Sequence, residues 1–227
     1  MARKSLICMV MILALTVALG RAESFAYDTE VYSKNSNAQK KVALTFDDGP
    51  HPILTPRILA ILREYQIPAT FFVIGENVKY YPQPIQEILD AGCEIGSHTY
   101  GHLDVAKLSE EQIREELIRT EQALCEELEY TVTLFRPPQG SYGDAMLRVA
   151  SEMHYRTVLW SIDTEDWAHR SAEEISARVL DQIGDGDIIL MHDFIGRNGN
   201  TCEALKQFIP ILLSRGYEFV TVSELLS

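Results

Sequence analysis

From Lys41 to the C-terminus, short runs rich in Val, Ile, Phe and Thr alternate with longer amphipathic segments. No other feature constrains the fold as tightly, because a repeated strand-then-helix pattern builds parallel strands joined by covering helices. Seven strands are expected, at 42–46, 69–74, 94–97, 133–136, 157–162, 187–191 and 218–220. Between them, Ser109 with Gln112 and Ser171 with Glu174 have the spacing of reciprocal capping boxes, and Thr55 before Pro56 reads as a cap with proline at the first helical position. In the helix expected over 109–128, Ile113, Leu117, Leu124 and Leu128 recur on one face. Nothing in the second half changes character, so the expectation is an α/β barrel or an open doubly wound sheet. The glycine fingerprint that cradles a dinucleotide after the first strand is missing, and Asp47-Asp48-Gly49-Pro50 stands in its place.

Ahead of this region, Arg3 and Lys4 precede an uncharged apolar run from Ser5 to Gly20. That layout reads as a signal peptide over 1–22, followed by a polar linker over 23–40 and a single catalytic domain over 41–227. The run is shorter than the roughly 20 apolar residues of a membrane helix, so secretion is the expected outcome and an uncleaved envelope anchor the alternative. Removal of Arg3, Lys4 and Arg21 would take the formal charge from -13 to about -16, which repels a phosphate backbone and argues against nucleic acid. No protein partner is implied. Of four cysteines, Cys8 would leave with the signal peptide, and the remaining Cys93, Cys125 and Cys202 are odd in number and widely spaced, which is no disulfide framework.

The unusual polar residues gather at the C-terminal ends of the expected strands, where barrel enzymes keep their chemistry. Asp47 and Asp48 are adjacent carboxylates at a turn, and keeping both ionised in a cleft needs a cation or an arginine, which a metal on one and a guanidinium on the other would supply. His98 and His102, four apart, suit one metal ion. Thr99, Tyr100 and Gly101 between them lack the glutamate of a helical metalloprotease. Two imidazoles and a carboxylate leave coordination positions open for water, as a catalytic zinc uses. Arg136, stiffened by Pro137 and Pro138, offers a planar fork for Asp47. The segments holding Asp163 to Trp167 and Leu190 to Asp193 supply carboxylates that can raise His192 into a general acid, with Leu190 as an apolar wall and Trp167 as a flat face for a sugar.

In this order, Thr45-Phe46-Asp47-Asp48-Gly49-Pro50, His98 to His102, Arg136-Pro137-Pro138, Asp163 to Trp167 and Leu190-Met191-His192 resemble the polysaccharide deacetylase family, carbohydrate esterase family 4, over about 40–225. The resemblance implies a distorted, incomplete (β/α) barrel of about seven parallel strands. It implies Asp47 as base, His192 as acid, and Asp48, His98 and His102 as ligands of a divalent metal, zinc first and cobalt second. Arg136 would tether Asp47 and Asp166 would tune His192. Pro138 and Gln139 would meet the substrate, the Gln139 N–H holding the oxyanion, and Leu190 would line the acetyl pocket. The family often has tyrosine where Gln139 stands, which bears on substrate preference rather than on the amide. The implied activity is hydrolysis of N-acetyl groups on peptidoglycan or a chitin-type oligosaccharide, an N-acetylated glycan. An O-acetyl xylan esterase or a catalytically silent carbohydrate-binding protein on the same fold are the rivals.

Overall fold

The computed structural model describes residues 29–194 and 199–227. The segment expected as a signal peptide lies outside these residues. The strands are β1 (Val31–Tyr32), β2 (Lys41–Asp47), β3 (Thr70–Val73), β4 (Glu94–Ser97), β5 (Leu134–Phe135), β6 (Arg156–Val158), β7 (Ile162–Asp163), β8 (Ile188–His192) and β9 (Glu218–Val220). The α-helices are α1 (Leu54–Tyr65), α2 (Gly75–Tyr80), α3 (Pro82–Asp90), α4 (Glu110–Leu128), α5 (Asp144–Glu152), α6 (Ala172–Gln182), α7 (Thr201–Ser214) and α8 (Val222–Leu225). Among the described residues, no helix is long and apolar enough to cross a membrane.

All pairings between named strands are parallel, in the order β1-β6-β5-β4-β3-β2-β8-β7, with β9 against the start of β2. Strands β6 and β7 stand toward opposite ends of that order, yet Leu159-Trp160-Ser161 alone joins them. Four residue steps reach about 14 Å at most, so the sheet must curl until its edges nearly meet. This is the incomplete barrel that the motifs implied. The seven expected strands are present, the fifth divided at 159–161 where the chain crosses the gap.

Residues 31–40 correct the linker reading of 23–40. Val31 and Tyr32 pair with Thr157 and Val158, and the Asn35 N–H donates to Gly186 O at 2.9 Å. A two-residue edge strand in a polar segment has too few side chains to show period 2, which is why the pattern conceals it.

Alternation along the strands separates two cores. Phe46, Phe71, Val73, Ile95, Phe135, Ile189 and Met191 face the helices, where they join Ile58, Leu62, Ile88, Leu117 and Phe208. The opposite, inner face holds a smaller cluster of Ala43, Phe72, Leu134, Val158, Ile188 and Val220, plugged by Val222 and Leu225 of α8. Phe72 lies across β4 because Gly96 has no Cβ, which would overlap its ring. Above this plug the inner positions turn polar, with Thr45 and Asp47, His98, Arg136 and His192 following the same alternation toward the strand ends.

Both expected capping boxes form, Ser109 with Gln112 on α4 and Ser171 with Glu174 on α6. Thr55 is not the cap of α1. The helix begins at Leu54, and His51 Nδ1 accepts the N–H groups of Ile53 at 3.1 Å and Leu54 at 2.9 Å. The Thr55 hydroxyl is engaged elsewhere, accepting from the His51 N–H at 2.8 Å and donating to Asp193.

Candidate active site

Strands β2 and β8 pair so that their last residues, Asp47 and His192, are register partners. Two functional groups are thereby set side by side on the inner face by backbone pairing alone. Asp48 then leaves the strand with φ 76, a left-handed conformation that aspartate tolerates better than most residues. A Cβ on Gly49 would overlap the fully buried Asp193 carboxyl, so only glycine fits there.

His98 follows β4 and is buried, 2 % exposed. Its Nδ1 lies 2.7 Å from the Arg136 carbonyl, an acceptor, so Nδ1 carries the ring proton and Nε2 keeps its lone pair. Burial, the largest influence, holds this imidazole below its ordinary pKa against the pull of Asp47 and Asp48, favouring the neutral form that binds metals. Asp48 Oδ1 lies 3.6 Å from His98 Nε2 and 3.2 Å from His102 Nε2. One ligand atom from each of Asp48, His98 and His102 lies within 4.8 Å of the other two. A carboxylate oxygen facing two imidazole nitrogens at these distances requires a proton or a cation between them, and the fixed Nδ1–H of His98 leaves its Nε2 available to the cation. The donor set of two nitrogens and one oxygen fits a borderline ion such as zinc.

The loop carrying these histidines is held by a residue that the motifs do not reveal. Glu116, on the buried side of α4, accepts the N–H of Tyr100 at 3.0 Å and of Gly101 at 2.7 Å through one carboxylate oxygen. Arg119 stands 3.7 Å from Glu116 and lies over the Tyr100 ring at 3.7 Å. Thr99 and His102 both take left-handed φ values, 65° and 54°, so the loop is a tight one that needs such support. The available signal was a charged residue at a position three after Ile113 and beside Leu117, within the apolar stripe. Asn77 of α2 is a second such support, donating through Nδ2 to Asp48 O at 2.8 Å.

Arg136 is entirely buried and every guanidinium nitrogen is engaged. Nη1 donates to Asp47 Oδ1 at 2.7 Å and to Thr45 Oγ1 at 2.8 Å, Nη2 to Leu159 O at 2.9 Å, and Nε to Val158 O at 3.3 Å. The plane lies 4.0 Å from the Phe72 ring, on top of the apolar plug. Asp47 is therefore aimed and charge-balanced, with its second oxygen 3.8 Å from His98 Nε2.

His192 Nδ1 meets Asp166 Oδ1 at 2.7 Å, while the other Asp166 oxygen accepts the His192 backbone N–H and the Thr201 hydroxyl. Burial opposes the charged imidazolium, but the hydrogen bond and charge of Asp166, joined by Asp47 and Asp48, outweigh it and bring His192 to about 9. Next to it, burial pushes the Asp193 carboxyl up to about 7, and its Oδ1 has no hydrogen-bond partner.

Asp47, Asp48, His98, His102 and Arg136 are thus joined by direct contacts, and His192 stands beside them with Asp166 behind it. Leu190 is a buried residue two before His192, in register with Thr45 on β2 and with Asp163 on β7. Pro138 is buried and Gln139 exposed in the turn after β5, where Gln139 adopts φ 60. Trp167, 55 % exposed, stands on the turn after β7. Cys93 and Cys202 are free and buried.

The family model for polysaccharide deacetylase matches residues 34–158, more than half of the chain. Over 192 residues the chain is 42% identical to a peptidoglycan-N-acetylglucosamine deacetylase of Bacillus cereus, covering 84% of this chain and 90% of that protein. Some other relatives are longer, and the chain spans 40% of their length. The solved Bc1960 peptidoglycan N-acetylglucosamine deacetylase, in complex with a naphthalenyl N-oxidanyl-benzamide, aligns with a TM-score of 0.83 at 37% identity, covering 87% of this chain and 92% of that one. BA3943 of Bacillus anthracis, described as a CE4 family pseudoenzyme, aligns with a TM-score of 0.83 at 32% identity, covering 88% of this chain and 70% of that one. Because a pseudoenzyme shares the fold, the fold by itself carries no activity.

Proposed function

The chain belongs to the polysaccharide deacetylase family, and from that premise we propose that it is a secreted, metal-dependent hydrolase that removes N-acetyl groups from peptidoglycan, releasing acetate. One observation carries the reading: a base tethered by a buried arginine and an imidazole charged by a buried carboxylate are register partners beside a three-donor metal face.

Asp48, His98 and His102 would hold the ion, zinc before cobalt. When bound, it supplies a Lewis acid that acidifies water and polarises the acetamide carbonyl. Asp47, oriented by the Arg136 guanidinium, takes the proton of the attacking water. The Gln139 N–H donates to the oxyanion that develops on the carbonyl, a contact typically worth about 2.7 to 4 kcal/mol. His192 has its Nδ1 committed to Asp166, so Nε2 is the nitrogen that delivers a proton to the departing amine. Leu190 and Pro138 would shape the space for the acetyl methyl, and Trp167 would offer its face to a sugar.

Peptidoglycan is the preferred polymer because the B. cereus relative at 42% identity is named for it, and because the N-terminal apolar segment would export the protein to the envelope. The silent-binder alternative is disfavoured because no role in this constellation is vacant. Acetate release from peptidoglycan, chitin oligomers and acetylated xylan, compared side by side, tests the reading. Release from peptidoglycan supports it, whereas release from xylan alone makes the protein an O-acetyl esterase.

A further inference from the structure

Among the described residues, Phe46, Phe71, Phe72, Phe135 and Phe208 are completely buried. Tyr80 is instead 68 % exposed and Phe194 38 %. With His51 and Tyr81 they make one continuous run. His51 meets Phe194 edge-on with centroids 4.8 Å apart, Phe194 lies 6.5 Å from Tyr81, and Tyr81 lies 6.4 Å from Tyr80. Exposed aromatic surface contiguous over several residues marks a binding surface more often than chance placement.

The run is built from the segments that build the active site. His51 is three residues after Asp48, Phe194 is two after His192, and Tyr80 and Tyr81 end α2, whose Asn77 holds the Asp48 carbonyl. Their parent strands β3, β2 and β8 are neighbours in the sheet. Two of its members are anchored by hydrogen bonds. His51 Nδ1 is occupied by two backbone N–H donors, which puts the ring proton on Nε2 as a hydrogen-bond donor. The Tyr81 N–H is bound to Asn77 O at 2.8 Å.

We propose that His51, Phe194, Tyr81 and Tyr80 form an additional glycan subsite, stacking on a sugar ring further along the strand than the one being deacetylated. This rests on the glycan reading above. Pyranose rings present an apolar C–H face to an aromatic ring and hydroxyls at their rim, and the wall offers flat rings with the His51 Nε2–H and two tyrosine hydroxyls beside them. Burial holds His51 below the ordinary imidazole pKa, which favours its neutral form and suits an uncharged sugar better than an ionic partner. Its place on the segments that follow β2, β3 and β8, which also carry Asp48 and His192, favours a glycan over a second copy of the chain, since a polymer with its acetamide at the site extends beyond it.

The test compares kcat/KM on an N-acetylglucosamine dimer and hexamer for the wild type, Tyr80→Ala and Phe194→Ala, with folding checked by thermal melts. The hexamer-to-dimer ratio of kcat/KM is expected to fall about fivefold to tenfold in either variant. An unchanged ratio overturns the subsite. Absence of acetate release from every glycan would reject the enzyme reading alone. Hexamer titration into the wild type and the same variants then reads the wall by itself, weaker binding in the variants supporting it and equal binding overturning it. Loss of self-association in the variants, with hexamer handling intact, would assign the wall to a second copy and refute the proposal.

Discussion

Arg136 grips Asp47 through a 2.7 Å ion pair and, through its own backbone carbonyl, fixes the ring of His98 at 2.7 Å. One residue therefore orients both the candidate base and a candidate metal ligand, by two different chemical groups. Only the first depends on the side chain. Arg136→Lys keeps the charge but cannot reproduce four directed hydrogen bonds. It should lower kcat by at least about a hundredfold and stability by about 3 kcal/mol, while metal affinity changes little because the carbonyl remains. Denaturant unfolding, kinetics and metal titration on one preparation separate the three effects. A large loss of metal affinity with normal turnover at saturating metal would contradict this division.

Asp47→Asn removes the proposed proton acceptor and leaves a side chain of the same shape. Metal content should stay at the wild-type level while acetate release drops by about three orders of magnitude or more, in line with the loss of a general base and its coupled partners. Full turnover in this variant would remove Asp47 from the base role.

As the proposed acid, His192 must be charged when the amine leaves. Its pKa is raised to about 9, so the protonated form persists through neutral pH, and turnover should decline as pH rises through about 9. The same sign applies to stability. A raised histidine stabilises the folded chain fully below its ordinary value of 6.5, and this contribution is lost as pH climbs toward about 9. Asp166→Asn takes away the charge that outweighs burial, so the alkaline limb of the kcat profile should move down toward or below 6.5. An unmoved limb would show that another group sets it.

Glu116 pins the Tyr100–Gly101 backbone between the candidate ligands His98 and His102. Supports of this kind are worth about 10-fold to 100-fold in metal affinity. Glu116→Ala should weaken zinc binding by that amount, and Glu116→Gln by less, since its amide oxygen can still accept both N–H groups without the charge. If both variants bind zinc as tightly as the wild type while melting at a lower temperature, Glu116 is merely structural.

Much of this was legible in the chain because its strongest signals are local. Alternating runs expose the strands, capping boxes the helix starts of α4 and α6, and residues directly after a strand the top of the barrel. What escaped depends on contacts between distant segments. Glu116 reads as one acid among many on an acidic helix until its partners 15 and 16 residues away are seen. Thr55 has the local signature of a cap, yet Asp193, 138 residues on, claims its hydroxyl and His51 takes over the cap. Strand β1 is too short for any periodicity, and the break between β6 and β7 arises from closing the sheet rather than from a turn signal.

The central claim is that Asp48, His98 and His102 hold a catalytic ion. It is tested most directly by measuring bound zinc and acetate release from peptidoglycan on the same protein, first chelated and then titrated with zinc. The account predicts that activity is abolished by chelation and returns in proportion to about one bound ion per chain. Undiminished acetate release by the metal-free protein would contradict it.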